Sequence, residues 1–120
     1  MQQKDTQFQI TLNELIASYK KNEPRETIKR CLQALNKYDM RYEIHNIIAA
    51  SYEKVDNNDK AEFHYQQSLK LRQFHLTYIN YAKLLDKIEK YKLSLINYQK
   101  ALDLSPKNYV AHNNMAMVYE

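Results

Sequence analysis

Tyr91 to Pro106, YKLSLINYQKALDLSP, constrains the fold of this chain more than any other stretch, because a second version of it lies 33 residues upstream. Tyr91, Leu95, Tyr98, Ala101 and Leu102 recur at helical three- and four-residue steps, and Ser105-Pro106 then stops the helix. Upstream, in DKAEFHYQQSLKL, Ala61 stands for Ser94, Tyr65 for Tyr98, Ser68 for Ala101 and Leu69 for Leu102. Self-similarity at about 33 to 34 residues marks a stack of helical repeats, each of which buries its apolar face only against its neighbours.

Composition agrees with an all-α chain. Glycine is absent and only two prolines occur, which argues against tight hairpins, Gly-rich phosphate loops and flexible linkers. With eleven tyrosines, three phenylalanines and no tryptophan, much of the core has to be built from rings that carry a hydroxyl at one edge. The net charge of +4 is spread out, with seven Lys/Arg against five Asp/Glu in residues 1–40, five against five in 41–74 and six against four in 75–120. That is a solvated mixed-charge surface rather than a nucleic-acid footprint. A single cysteine, Cys31, cannot close an internal disulfide, and the chain opens with no leader-like pattern, so a reducing, cytoplasmic setting is expected. No apolar run approaches the roughly 20 residues that span a bilayer.

Helices are expected over about 8–20, 24–38, 41–54, 58–72, 75–86, 91–105 and from 109 to the end, with the polar MQQKDT frayed. Ile10, Leu12, Leu15, Ile16 and Tyr19 should form the first apolar stripe, and Ile28, Cys31, Leu32 and Leu35 the second. Pro24 suits the first turn of a helix, and the Asn and Asp side chains of VDNND suit a turn and cap. Loops of a few residues make successive helices antiparallel.

These residues resemble the tetratricopeptide repeat (TPR), a pair of antiparallel helices of about 34 residues that stacks into a right-handed α-solenoid. The family's first helix carries a large residue, a leucine beside a small residue, then tyrosine. His45, Ile48, Ala49 and Tyr52 match it, as do Tyr78, Tyr81, Ala82 and Leu85, and His112, Met115, Ala116 and Tyr119. The second helix carries a small residue, an aromatic, an Ala-Leu pair and a proline, matched by Ser94, Tyr98, Ala101, Leu102 and Pro106. The resemblance implies one domain over 1–120: a divergent capping repeat at about 8–40, repeats at 41–74 and 75–108, and the first helix of an incomplete repeat at 109–120. The capping repeat has Leu15-Ile16 for the leucine-small pair, no obvious aromatic at the matching place of its second helix and Asp39 in place of the final proline. The second repeat ends in Gln73-Phe74 without proline.

No catalytic set stands out. His45, His64, His75 and His112 lack paired metal-ligand spacing, and His45 and His112 fall at the repeat's large-residue place, where packing is the favoured role. Cys31 lies on an apolar helix face with no identifiable base, again favouring the core. No enzyme activity, metal ion or cofactor is expected.

In the resembled family the first helices line a concave groove. Asn80 and Asn114 occupy equivalent places there, as do Asn46 and Asn113 one step earlier, and Lys83 lies on the same side. Asn80 and Asn114 resemble the asparagine ladder of O-linked N-acetylglucosamine transferase repeats, where amides hold a peptide backbone; the alternative is that asparagine is simply common in this chain. Exposed asparagine inside a helix has poor propensity and calls for another reason. The two-carboxylate clamp of chaperone co-factors fits less well, since Lys83 alone is placed for it and Ala50 replaces a polar residue.

The expected function is a protein-interaction scaffold for an extended peptide or a partner domain, with no nucleic-acid or membrane partner. One alternative is the substrate-recruiting N-terminal region of a glycosyltransferase or sulfotransferase, which HNNMA also resembles. A pentatricopeptide-like RNA-binding array ranks below both. The last helix carries Tyr109, Met115, Ala116, Val118 and Tyr119 on more than one side, which implies a homodimer through that helix or continuation into further repeats.

Overall fold

The computed structural model describes residues 2–119, with side chains from Asp5 onward. Among the described residues there are seven α-helices and no strand: α1 Gln2–Lys20, α2 Pro24–Leu35, α3 Tyr42–Lys54, α4 Asn58–Leu71, α5 His75–Lys87, α6 Tyr91–Leu104 and α7 Tyr109–Tyr119. They fall into two compact units, Met1–Leu71 with α1 to α4 and Arg72–Glu120 with α5 to α7.

Helix α1 starts six residues before the expected Phe8, so the polar segment expected to fray is helical from Gln2. Asp5 lies in its first turn, where the helix dipole favours an acid, and its carboxylate also accepts from Arg41 at 3.4 Å. Arg41 covers the Phe8 ring at 4.1 Å, and Phe8 meets Tyr38 edge to face at 5.1 Å. Tyr38 is expected within α2, but the helix ends at Leu35 and Tyr38 turns inward from the following turn, its N–H donating to Ala34 O at 2.8 Å. Pro24 stands in the first turn of α2 as expected, and the missing N–H there has no intrahelical acceptor to lose.

A glycine-free chain still has to reverse direction within each helix pair, and it does so with left-handed residues of other types. Asn22 (φ 61°), Asp56 (φ 59°) and Glu89 (φ 65°) follow the first helix of each pair at the 33 to 34 residue period. After α3, Asp56 N–H donates to Glu53 O at 3.0 Å and Asn57 N–H to Tyr52 O at 2.9 Å. After α5, Glu89 N–H donates to Asp86 O at 3.0 Å and Lys90 N–H to Leu85 O at 2.8 Å. This crossed pair of bonds is the Schellman helix end, which satisfies two otherwise orphaned carbonyls. Glycine is its usual left-handed residue, so its absence does not exclude tight reversals.

In the first unit Phe8, Leu15, Cys31, Tyr38, Ile44 and Ile48 form the buried centre, flanked by Leu12, Ala34, Leu35, Ile47 and Tyr52. Ile10 and Leu32, expected inside, are exposed, because the inward arc of α1 passes through Phe8 and Leu15 and that of α2 through Thr27 and Cys31. Ser18 donates to Thr27 Oγ1 at 2.8 Å, and Thr27 donates to Glu23 O at 2.9 Å, so the polar groups between α1 and α2 are satisfied. In the second unit α5 is buried at Thr77, Tyr78, Ile79, Tyr81, Ala82, Leu84 and Leu85, and α6 at Ser94, Asn97, Tyr98, Ala101 and Leu102. Ala82 is fully buried, and its carbonyl accepts from Ser94 Oγ at 2.8 Å, a bond that needs α5 and α6 in close approach.

Candidate functional site

Burial leaves α5 a single open stripe. Leu76, Asn80, Lys83 and Lys87 are exposed at steps of four, three and four, while every residue from Thr77 to Leu85 other than Asn80 and Lys83 is buried. The side chains therefore line up along one helix face, with an apolar head, an amide and two ammonium groups. Asn80 lies in the helix interior, where asparagine is a poor helix former and packing supplies no reason for it.

Asn114, its partner in the repeat, is placed differently. It is half-buried, and its amide N–H donates to the hydroxyl of Tyr98 on α6. Burial of Tyr98 and the charge of Asp86 push that phenol up to about 12, and the Asn114 bond works in the opposite direction. Asn113 is exposed on α7. In the first unit Asn46 is half-buried on α3 and has a polar partner of its own. The expected site residues thus divide into two open side chains on α5, one on α7, and two half-buried amides that already have an interaction.

The histidines divide as well. His45 and His64, 19 residues apart on α3 and α4, face each other Nδ1 to Nδ1 at 2.9 Å. Their proximity comes from antiparallel pairing of two helices, so no short sequence spacing announces it. Phe63, although apolar, is half-exposed and sets its edge against the His64 ring at 5.1 Å. His75 packs edge to face on Phe74 at 4.9 Å. His112 departs from the expected packing role: it is exposed, and its Nε2 lies 3.0 Å from Pro106 O. Cys31 is fully enclosed and burial pushes its thiol up to about 12, so thiolate chemistry is suppressed. Among the described residues no group of three or more His, Cys, Asp or Glu side chains is arranged to hold a metal ion, and no helix is long and apolar enough to cross a membrane.

The repeat register also identifies what fills the aromatic place in the first pair. Thr27 and Cys31 stand 34 residues before Ala61 and Tyr65, and all four are buried. Cys31 is therefore the small substitute for the ring of the later repeats, a correspondence that counting back from Tyr65 finds.

On α7 the repeat face is open. Ile48 and Ala49 on α3, and Tyr81 and Ala82 on α5, are buried, whereas the equivalent Met115 is half-buried and Ala116 exposed. Tyr109, Met117 and Tyr119 are each about 70% exposed, and Ala116 makes no close helix contact of the kind that encloses Ala49 and Ala82. Ala111 is the buried residue of this helix, at the place of Ile44 and Thr77.

No family model matches this sequence, and no curated protein matches it. Solved structures do. The first TPR of Spaghetti (RPAP3), bound to the HSP90 peptide SRMEEVD, is 15% identical with a TM-score of 0.86 over 92% of this chain and 88% of that one. The second TPR domain of human RPAP3, in complex with the HSP70 peptide SGPTIEEVD, is 14% identical with a TM-score of 0.84 over 92% of each chain. The Arabidopsis OM64 TPR domain is 15% identical, with a TM-score of 0.84 over 92% of each. The chain has the all-α helical-repeat fold of TPR domains.

Proposed function

We propose that this chain is a protein-interaction module of the TPR kind in which the open face of α5 holds an extended peptide. The observation that carries the reading is the exposed Leu76, Asn80, Lys83, Lys87 stripe on the otherwise buried α5. An amide in that line can accept from and donate to a peptide bond, and the ammonium groups favour an acidic segment beside it. The two peptides bound by the RPAP3 domains both end in EEVD, which is consistent with an acidic ligand. Backbone capture by Asn80 leads this reading, with Lys83 as an electrostatic aid.

Magnitudes limit what asparagines do alone. At about 1 kcal/mol net per hydrogen bond, even two bidentate amides give about 4 kcal/mol, which is only millimolar affinity before ordering costs. Asn114, engaged with Tyr98, does not contribute a free amide unless that bond opens. Apolar contact at Leu76 therefore has to supply part of the affinity. Fluorescence polarisation with labelled SRMEEVD and a scrambled acidic heptapeptide tests the site. Asn80→Ala should weaken binding about fivefold for one lost bond, with Lys83→Ala adding a salt-dependent loss. Unchanged affinity in both variants, with melting temperatures retained, would remove the site from α5.

The uncovered face of α7 supports a second contact surface, in which another helix covers Met115, Ala116 and Tyr119 as α6 covers α5. Light scattering across concentration reads it: Met117→Lys should shift any dimer to monomer, and a monomer at every concentration argues against self-pairing.

A further inference from the structure

We propose that the His45–His64 contact is an acid-operated latch within the α3–α4 hairpin, closed while one Nδ1 accepts the other's proton and open once both imidazoles are charged. The rings are close to coplanar, with an interplanar angle of 27°. Their centroids lie 5.2 Å apart, longer than the 2.9 Å N···N distance by about two ring radii, so the rings meet end to end. One Nδ1 carries the proton and donates; the other presents its lone pair. A first added proton can be taken at the donor ring's Nε2, which leaves the bond in place and charge-assisted. A second has to go to the accepting Nδ1, which ends the bond and sets two cations against each other.

The surroundings give neither ring a balancing negative charge. Tyr52 lies parallel to His64 at 5.8 Å and Phe63 meets its edge at 5.1 Å, closing the pair in with aromatic carbon. Lys60, from the first turns of α4, lies over the Tyr52 ring at 5.5 Å and its charge acts on His64. Several charged groups on α3 and the helices packed against it are engaged elsewhere, while Glu43, two residues before His45 on α3, keeps a buried Oε1 with no hydrogen-bond partner and does not act on either ring. Asp5 of α1 bonds Arg41, Glu26 of α2 bonds Arg30, Glu53 accepts from Tyr65, and Lys54 lies over Tyr19. Burial lowers His45; burial, then the charge of His45, then that of Lys60, lower His64 to about 4. Both values fall below the 6.5 of a free imidazole, so the hairpin's stability is fully present above that pH and is lost as pH falls toward about 4. In the second unit the repeat register puts Tyr78 and Asn97 at the two places, and neither titrates in this window.

Native-state hydrogen exchange of the full chain between pH 7 and pH 4, corrected for intrinsic rates, reads the latch directly. Opening of α3 and α4 amides should rise by about one to two orders of magnitude relative to those of α5 and α6. The double variant His45→Tyr with His64→Asn, which borrows the second unit's own pair, should abolish that difference. Imidazole 15N shifts in the unaltered protein provide a second measurement that needs no variant. Two rings titrating independently near 6.5, or equal acid response of the two hairpins, would overturn the proposal.

Discussion

The α3–α4 and α5–α6 hairpins are two solutions to one packing problem. Each buries an alanine on its first helix, Ala49 or Ala82, and a small residue and a tyrosine on its second, Ala61 with Tyr65 or Ser94 with Tyr98. Each reverses through a Schellman end with a left-handed residue that is not glycine. Their polar contacts, however, differ. Tyr65 donates to Glu53 at 2.5 Å, whereas Tyr98, with Asp86 at the place of Glu53, receives the amide of Asn114. Ser68 donates to Tyr42 O at 3.2 Å near the start of α3, whereas Ser94 donates to Ala82 O at mid-helix of α5. Side-chain volume at the repeat places sets the helix pairing, and the hydrogen-bond partners then differ from one hairpin to the other.

If volume governs, the tyrosines should matter equally despite their different partners. Tyr65→Ala and Tyr98→Ala should each lose about 3 to 5 kcal/mol, the range for emptying a large aromatic site. Urea melts of the two variants measure it. A difference above about 2 kcal/mol would show that Glu53 or Asn114, and not the ring, dominates one site.

Next in size are the buried alanines. Ala82→Leu should overpack the α5–α6 contact and lose about 1 to 3 kcal/mol, and Ala49→Leu should do the same for α3–α4. Lys83→Ala, one residue from Ala82 on the open stripe, should change stability by less than about 0.5 kcal/mol. Thermal melts separate the three; equal shifts for Ala82 and Lys83 variants would break the assignment of inner and outer faces on α5.

A sharper comparison comes from the phenols. Burial raises Tyr65 above its ordinary value, reinforced by Glu53, and raises Tyr98 to about 12. A folded pKa above the unfolded one means stability that is present below about pH 10 and lost as pH rises through that region. Tyr65→Phe and Tyr98→Phe should each flatten alkaline unfolding, and to a similar extent, because over this range both phenols stay protonated in the folded chain and only the unfolded chain ionises. Melts from pH 8 to 11 read the two slopes, and a clear difference between them would show that one phenol ionises in the folded protein.

What is legible in the sequence follows from the same division. Periodic volume is written residue by residue, so the helix pairs, the alanine contacts and the enclosure of Cys31 can be read from the order of residues alone. Contacts between helices are not written that way. The His45–His64 pair and the Tyr98–Asn114 bond join residues 19 and 16 apart whose approach depends on how two helices align. The early start of α1 is hidden because MQQKDT is polar, and polarity at a terminus reads as fraying even where no residue breaks the helix. Ile10 and Leu32 look like core residues when apolar character is counted without the helix arc that faces inward. Asn80 and Asn114 are identical by register, but Tyr98 lies within reach of only one of them.

The smallest expected effect concerns the two turns. Glu89 holds φ 65° with a full side chain, whereas its counterpart Asp56, at φ 59°, belongs to a residue type that tolerates the left-handed region. Substituting glycine removes the clash between Cβ and the following carbonyl, but it also frees the unfolded chain, which offsets part of the gain. Glu89→Gly should therefore stabilise by about 0.5 to 1 kcal/mol, and Asp56→Gly by less. Glu89→Asn should fall between wild type and Glu89→Gly, since asparagine enters this region more readily than glutamate. Urea denaturation with unchanged m-values is the measurement. If Asp56→Gly gains as much as Glu89→Gly, residue type is not what distinguishes the two turns, and the strain belongs to the Schellman end itself.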